Sequence, residues 1–124
     1  MSRRVKPITM RPIGHIATSE DAAHSRIEVL PKCAAGLDGV EEHEHLWVLY
    51  WMDQLSDRDR GVLKAHPRGD TSKSMRGVFA LHSPMRPNPI AMTRVRLIRR
   101  EGNQLVVEGL DALDGSPVLD IKSG

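Results

Sequence analysis

A cluster of prolines between Gly77 and Thr93 (GVFALHSPMRPNPIAMT) constrains this chain more than any other feature. The three prolines stand within six residues, at positions 84, 87 and 89. Each fixes its own φ angle and removes a backbone donor, so neither a regular helix nor a central strand can pass through. Each also drives the preceding residue toward extended geometry. Those residues are Ser83, Arg86 and Asn88. We expect a stiff, extended loop that presents a hydroxyl, a guanidinium and an amide at fixed positions, as a binding site requires.

The overall composition predicts a single domain over residues 1–124. A chain of 124 residues can bury a core without disulfides or metal ions. Cys33 is the only cysteine, which excludes an internal disulfide and favours a reducing, cytoplasmic compartment. We interpret Cys33 as a small, half-buried apolar residue rather than a nucleophile. No apolar run is long enough to span a membrane. The N-terminus, MSRRVKPIT, lacks the apolar stretch of a signal peptide.

Short apolar runs separated by turn signals predict a mainly antiparallel all-β fold. The predicted strands are Ile8–Thr18, Arg26–Leu30, His45–Met52, Val62–His66, Arg76–Leu81, Met92–Arg99, Leu105–Glu108 and Pro117–Ile121. The strongest is HLWVLYWM, which is apolar on both faces and therefore a central strand. Seven or eight such strands indicate a barrel or a sandwich, and the pattern alone does not separate the two.

The segments between these strands are polar or rich in glycine. Ala34–Glu44 is expected to be a turn or one helical turn, Asp53–Gly61 a loop, and Pro67–Ser74 a flexible loop. Gly102-Asn103 is a hairpin signal between two strands. Amphipathic helices do not alternate with the strands, which argues against a doubly wound α/β fold.

Basic residues are clustered, although the net charge is only +2. One cluster comprises Arg94, Arg96, Arg99 and Arg100, and the N-terminal tail adds Arg3, Arg4 and Lys6. Such clusters suit phosphate-rich partners, but a solvated strand face would look the same. Aromatic residues make up only 3% of the chain, and three of the four lie in WVLYW. The chain therefore lacks the distributed stacking residues of general single-strand binders.

The common catalytic and metal motifs are absent from the sequence. His43 and His45 would share a face of an extended segment, but no third ligand stands at a zinc-site spacing, so we predict no metal. The glycine-rich nucleotide loops and the GxSxG motif are missing. His82 and Ser83 are adjacent and would point to opposite faces of a strand, which makes them a poor catalytic pair.

Two acidic residues precede Gly115 in the segment GLDALDGSPVLDIK. Asp114 is well explained as a cap for local backbone N–H groups in a turn. Asp111 fits that interpretation or, equally well, a contact to an adenine or ribose at a strand end.

The motifs GVFALHSPMRPNPIAMT, LDALDGSPVLDIK, HLWVLY and IGHIATS together resemble the YaeB-like, TrmO-type family of S-adenosylmethionine-dependent methyltransferases. They occur in the family's order and cover most of the chain. The resemblance implies a small β-barrel rather than a Rossmann fold, and a homodimer. It also implies methylation of the exocyclic nitrogen of threonylcarbamoyladenosine beside the tRNA anticodon. S-adenosylmethionine would lie between the proline segment and the LDALDG turn.

The resemblance further implies a set of site residues. The cofactor contacts would be Asp53, Gln54, His82, Ser83, Arg86, Asn88, Met92, Glu108, Gly109, Leu110 and Asp111. Arg86 and Asn88 would order the loop or hold the methionine carboxylate. Asp53 and Asp111 are the candidates for a base that takes a proton from an amine. Arg94, Arg96, Arg99 and Arg100, with the N-terminal tail, would contact tRNA phosphates.

The sequence departs from the family pattern at three places. His82 stands where many members have arginine, and Ala91 replaces a glycine. The segment after Thr18 is short, and the chain ends at Gly124, where the family continues. Two further hypotheses therefore stand beside the tRNA enzyme. They are a small-molecule methyltransferase on the same barrel and a non-catalytic S-adenosylmethionine-binding module.

Overall fold

The computed structural model describes residues 4–18 and 23–124. Arg3 of the basic tail and residues 19–22 of the short segment after Thr18 lie outside the described residues. Within the described part the chain forms eight strands. They are β1 Gly14–Thr18, β2 His24–Val29, β3 His45–Trp51, β4 Lys64–Ala65, β5 Arg76–Gly77, β6 Ile90–Glu101, β7 Gln104–Glu108 and β8 Pro117–Ser123.

Six of these strands close into an antiparallel barrel in the order β1-β2-β7-β6-β3-β8, and β8 pairs back with β1. The remaining strands, β4 and β5, form a separate two-stranded ladder outside the barrel. The predicted all-β barrel is therefore confirmed, and the choice between barrel and sandwich is resolved. Closure matters because it leaves no free edge on the main sheet.

The interior of the barrel is filled by alternating side chains. β3 buries Leu46, Val48 and Tyr50, while its other residues are partly exposed. It pairs with β6 on one side and β8 on the other, so the predicted central strand is confirmed. The other main core residues are Ile16, Ile27, Val29, Leu37, Val95, Leu105, Val107 and Val118.

The predicted hairpin between β6 and β7 is also confirmed. Gly102 has φ +64°, a conformation that glycine adopts without strain, and Asn103 follows it. The Asn103 side chain donates to the Val29 carbonyl at 2.7 Å, which ties the turn to β2. The turn thus sets the register of two neighbouring strands.

Several predicted boundaries were wrong. The first strand begins at Gly14 rather than Ile8, because Pro12 lacks the N–H that a ladder needs. The predicted strand Arg76–Leu81 is two residues of β5 followed by a 3₁₀ turn at Val78–Ala80. There the chain turns to bury Val78 before it enters the proline segment.

The helical segments are short. A 3₁₀ helix at Pro31–Leu37 begins three residues before the segment predicted as a turn or helical turn, Ala34–Glu44, and a second at Val40–Glu42 lies within that segment. A third occurs at Pro67–Gly69. Helix α1, Asp57–Arg60, lies within the predicted loop Asp53–Gly61. Ser56 and Asp59 bond reciprocally to each other's backbone N–H groups and form a capping box that starts this helix.

Among the helices of residues 4–18 and 23–124, none is both long enough and apolar enough to cross a membrane.

Candidate functional site

The proline loop, Leu81–Pro89, is a bent and internally bonded segment. Its backbone bends through residues 84–88 rather than running extended as predicted. The reason is Arg86, whose guanidinium donates to the carbonyls of Leu81 at 3.0 Å and Ser83 at 3.2 Å. Pro89 is buried, and its carbonyl accepts from the N–H of Met52 at 2.9 Å. The loop is therefore rigid and fixed to the end of β3.

A second arginine holds the loop from outside. Arg60, at the end of α1, donates through Nε to the carbonyl of Pro87 at 2.9 Å and through Nη2 to Asn88 Oδ1 at 3.4 Å. Its guanidinium carbon lies 5.3 Å from the ring centroid of Trp51, a cation–π distance. Arg60 thus joins the loop to β3 through the only α-helix among the described residues.

The turn between β7 and β8, Gly109–Gly115, faces the proline loop across the end of the barrel. Tyr50 is 5% exposed, and its hydroxyl donates to the carbonyl of Asp111 at 2.6 Å. Asp114 accepts from the N–H of Thr18 at 2.9 Å, so it caps β1 and not the local N–H groups we predicted. Among the described residues, Asp111 has no hydrogen bond through its carboxylate. Its backbone is fixed and its charge is available to a ligand.

Two cavities adjoin each other between the proline loop and the Gly109–Gly115 turn. The larger has a volume of about 760 Å³ and the smaller about 200 Å³. Both are lined by Tyr50, Met52, Pro84 and Asp111. A combined space of this kind lies within the range of small-molecule sites.

The structure brings eight of the eleven predicted cofactor residues to these cavities. His82, Ser83, Arg86, Asn88 and Met92 line the larger one, Asp53 and Gln54 the smaller one, and Asp111 both. Glu108, Gly109 and Leu110 line neither cavity. Leu110 packs against the core, and Glu108 Oε2 lies 3.7 Å from His24 Nε2. Ala91, where the family has glycine, lines the larger cavity.

Two residues that support this site were not predicted as site residues. The apolar pattern predicts Tyr50 only as part of a strand, although a buried tyrosine hydroxyl normally finds a hydrogen-bond partner. The polar composition around Arg60 predicts a loop, although the sequence Ser56-x-x-Asp59 is a capping signal that indicates a helix there.

The four arginines predicted to contact nucleic acid lie along β6 and differ in their environment. Arg94 donates to the carbonyl of Gly124, and Arg96 is exposed. Arg99 pairs with Glu101 at 2.6 Å, and Arg100 pairs with Glu41 at 3.0 Å.

Glu101, the partner of Arg99, is held by two arginines. It also pairs with Arg26 at 2.8 Å, and hydrogen bonds from Arg26 and then Arg99 lower the pKa of Glu101 to about 2. Arg99 lies six residues beyond Thr93, the last cavity residue of β6, which is about 20 Å along a strand. The paired arginines are therefore distant from the cavities.

Comparison with known proteins agrees with this architecture. Residues 11–123 match the family model of the tRNA-methyltransferase O N-terminal domain. An S-adenosyl-L-methionine-binding protein of Archaeoglobus fulgidus is 44% identical over 91% of this chain and 86% of its own length. A protein of Methanocaldococcus jannaschii, named a probable S-adenosyl-L-methionine-binding protein, is 35% identical over 91% of this chain and 89% of its own.

Solved structures of TrmO share the fold. One matches with a TM-score of 0.74 and 32% identity over 96% of this chain. TrmO from Pseudomonas aeruginosa matches with a TM-score of 0.72 and 29% identity, also over 96%. The chain spans 58% and 56% of those two proteins. A family match over residues 11–123 and the shared barrel lead to one conclusion: the chain belongs to the TrmO N-terminal domain family.

Proposed function

We propose that this protein is an S-adenosylmethionine-dependent methyltransferase whose cofactor binds in the two adjoining cavities. The observation that carries this proposal is the carboxylate of Asp111, unpaired in the described part of the chain, on the wall of both cavities. Its backbone is fixed by the buried Tyr50, yet its carboxylate has no partner among the described residues and it lines both cavities. A carboxylate held in this way suits a cationic or hydroxyl-rich ligand.

The residues around the cavities fit this cofactor. Tyr50, Met52 and Leu81 offer apolar surface for an adenine ring. Asp53 and Asp111 offer carboxylates for the ribose hydroxyls or the positive charges of the ligand. Arg86 already donates to two loop carbonyls, so its role here is to order the loop.

Methyl transfer requires alignment more than covalent help from the protein. Bound S-adenosylmethionine supplies an electrophilic methyl group on a sulfonium. The rigid proline loop and the Gly109–Gly115 turn would hold both reactants in line and exclude water between them. Where the acceptor is an amine, Asp53 or Asp111 would take the released proton, because each lines the smaller cavity.

For the acceptor we propose the exocyclic nitrogen of threonylcarbamoyladenosine in tRNA. The family description, tRNA-methyltransferase O N-terminal domain, supports this choice. The homodimer that the resemblance implies and the cytoplasmic location predicted from the single cysteine stay predictions. A small-molecule methyltransferase is the second candidate, since two relatives that match over most of their own length are named only for S-adenosyl-L-methionine binding.

Calorimetry with S-adenosylmethionine tests the cofactor site. We expect Asp111→Asn to weaken binding about tenfold, or about 1.4 kcal/mol, because it removes a charge from both cavities. The matched control is Asp120→Asn, since Asp120 is exposed on β8 and lines neither cavity. No binding by the unaltered protein at millimolar ligand would contradict the proposal, as would equal effects of the two variants.

The acceptor is tested separately by mass spectrometry of tRNA nucleosides. Cells that lack the protein should lose the methylated form of threonylcarbamoyladenosine and accumulate the unmethylated one. An unchanged nucleoside profile, together with normal cofactor binding, would favour the small-molecule candidate.

A further inference from the structure

One excursion from the barrel, residues 57–77, carries a net positive charge. This basic excursion contains α1, β4 and β5. It holds six of the 18 basic residues but only three of the 16 acidic ones, a net charge of +3. The rest of the chain has a net charge of −1. The N-terminal residues 1–13 carry a net charge of +4, so the other residues outside the excursion, which include the barrel, are net acidic.

The cations of the basic excursion are not neutralised. Its exposed basic residues are Arg58, Lys64, Arg68, Lys73 and Arg76. Within the described part of the chain, none of these five side chains makes a hydrogen bond or an ion pair. Arg99 and Arg100 of β6 are, in contrast, paired with Glu101 and Glu41. A phosphate would therefore find unpaired cations on the excursion, whereas Arg99 and Arg100 are already paired with carboxylates.

The tip of the excursion, residues 66–73, lies in the segment predicted as a loop and contains a 3₁₀ turn and internal hydrogen bonds. His66 Nδ1 bonds to the carbonyl of Lys73 at 2.8 Å. Asp70 accepts from the N–H of Ser72 at 3.0 Å and from its hydroxyl at 2.6 Å, and these bonds lower the pKa of Asp70. The exposed carboxylate of Asp70 thus bonds Ser72, two residues further on, and not a basic side chain.

Arg68 occupies the one strained backbone position at this tip. Its φ of +52° makes it the only non-glycine residue with positive φ among the described residues. Such a conformation is unfavourable for a residue with a Cβ atom and persists where the surrounding structure imposes it. The hydrogen bonds of the tip impose it here, and they fix the direction in which an exposed arginine leaves the backbone.

The excursion is attached directly to the wall of the cofactor cavity. Val78 is 1% exposed, and its N–H donates to the carbonyl of Leu63 at 2.9 Å. This bond joins the residue before β4 to the residue after β5. The next residue, Phe79, lines the larger cavity and is 79% exposed. Arg60, within the excursion, contacts the proline loop on the other side. A long polyanion held by the excursion would pass beside the cavity.

We propose that the basic excursion binds the phosphate backbone of an RNA acceptor, with Arg68, Lys73 and Arg76 as contacts. This inference rests on the proposed function, because it supplies the surface that brings an RNA to the methyl donor. It transfers the phosphate contacts from β6 to residues 57–77. The chemistry is that of unpaired Arg and Lys side chains that displace counterions from a polyanion.

The test is the salt dependence of tRNA binding. Fluorescence anisotropy with an unmodified transcribed tRNA is measured over a range of NaCl concentrations for three proteins. They are the unaltered chain, the triple variant Arg68→Gln/Lys73→Gln/Arg76→Gln, and the control Arg96→Gln/Arg99→Gln/Arg100→Gln, which removes the same charge. We expect the excursion variant to reduce the slope of log K against log salt by about 2–3, since each lost phosphate contact removes about 0.7–0.9. The control should keep the slope.

A single variant separates charge from backbone strain. Arg68→Gly relieves the positive φ, so its melting temperature should be unchanged or higher while its tRNA affinity falls. Retained tRNA affinity in Arg68→Gly, or a slope that falls only in the β6 control, would overturn the inference. Absence of tRNA binding by the unaltered protein would overturn it too.

Calorimetry with S-adenosylmethionine on the same three proteins separates a failure of the excursion surface from a failure of the proposed function. If the excursion variant binds the cofactor normally and keeps the salt slope of the unaltered protein, only the role of the excursion is contradicted. If the unaltered protein does not bind the cofactor, the proposed function is contradicted, and this inference with it.

Discussion

Single residues at this site act by holding other residues in place. Arg86 ties two carbonyls of the proline loop, Tyr50 fixes Asp111, and Arg60 fastens the loop to Trp51. Of these, Arg60 is the most informative, because it acts on the loop from outside the two cofactor cavities. Its planar guanidinium serves a carbonyl, an amide and an aromatic ring at once, which a lysine cannot do.

Replacing Arg60 should loosen the proline loop. We expect Arg60→Ala to weaken S-adenosylmethionine binding about tenfold, and Arg60→Lys to weaken it less, because lysine keeps a cation over Trp51 but loses the fork. Calorimetry measures the affinity, and tryptophan fluorescence reports the changed surroundings of Trp51. The control is Arg96→Ala on the exposed face of β6. Full affinity in Arg60→Ala would show that the loop holds its shape without this contact.

At the scale of single elements, β1 depends on one close approach. Gly14 pairs with Val29 of β2 and with Val118 of β8, so it stands where three strands meet. A Cβ atom added at Gly14 would overlap the backbone carbonyl of Glu28. Because the obstacle is backbone, it cannot rotate away as a side chain could.

The Gly14→Ala variant should therefore be destabilised. We expect the free energy of unfolding to fall by about 1–3 kcal/mol, the usual cost of overpacking. Chemical denaturation measures it. Gly36→Ala is the matched control, since nothing lies within 4 Å of a Cβ added at Gly36. An equal loss in both variants would refute the role assigned to this approach.

At the scale of the whole molecule, the barrel is closed by the two strands that share the fewest register pairs. β1 and β8 share two register pairs, Gly14 with Val118 and His15 with Pro117, whereas β3 and β6 share seven. Pro117 has no N–H to give. The Gly109–Gly115 turn enters β8 at this seam, where the N–H of Gly115 donates to the carbonyl of Ile16 at 2.7 Å. The seam and the cofactor site are therefore physically continuous.

Native-state hydrogen exchange should reveal this seam. We expect the amides of Ile13 and Ile16, which bond to Val118 and Ser116, to exchange faster than those of β3 and β6. S-adenosylmethionine should slow them, since it would rest on the turn beside them. Uniform exchange around the barrel would contradict the assignment of the seam.

How much of the molecule could be predicted depended on whether the signal was local. Gly102-Asn103 and the apolar β3 each carry their own pattern, and both predictions are confirmed. The family resemblance is confirmed as well, and it decided for a barrel where strand counting could not. The bend of the proline loop was not predictable, because it depends on where the Arg86 guanidinium folds back. The Asp114 bond to Thr18 joins residues 96 apart, which no spacing rule reveals.

The site predictions divide in the same way. Eight of the eleven predicted cofactor residues meet at two cavities, because the end of β3, the start of β6 and the start of β8 lie at one side of the barrel. Their role in binding stays a prediction, as do the phosphate contacts, the homodimer and the cytoplasmic location. Arg99 and Arg100 show the limit of a charge run, because the sequence does not say which arginine will meet Glu101 or Glu41.

The bond between Leu63 and Val78 has a consequence for engineering. Since the N–H of Val78 meets the carbonyl of Leu63, the chain leaves and re-enters the body of the protein at one point. A segment whose two ends are adjacent can be replaced by another, because a change in its length or composition costs little loop-closure entropy and leaves the positions of the two ends unchanged. Residues 64–77 are thus a natural site for grafting a foreign hairpin, and under the functions proposed above such a graft would change the RNA surface without altering the residues that line the two cavities.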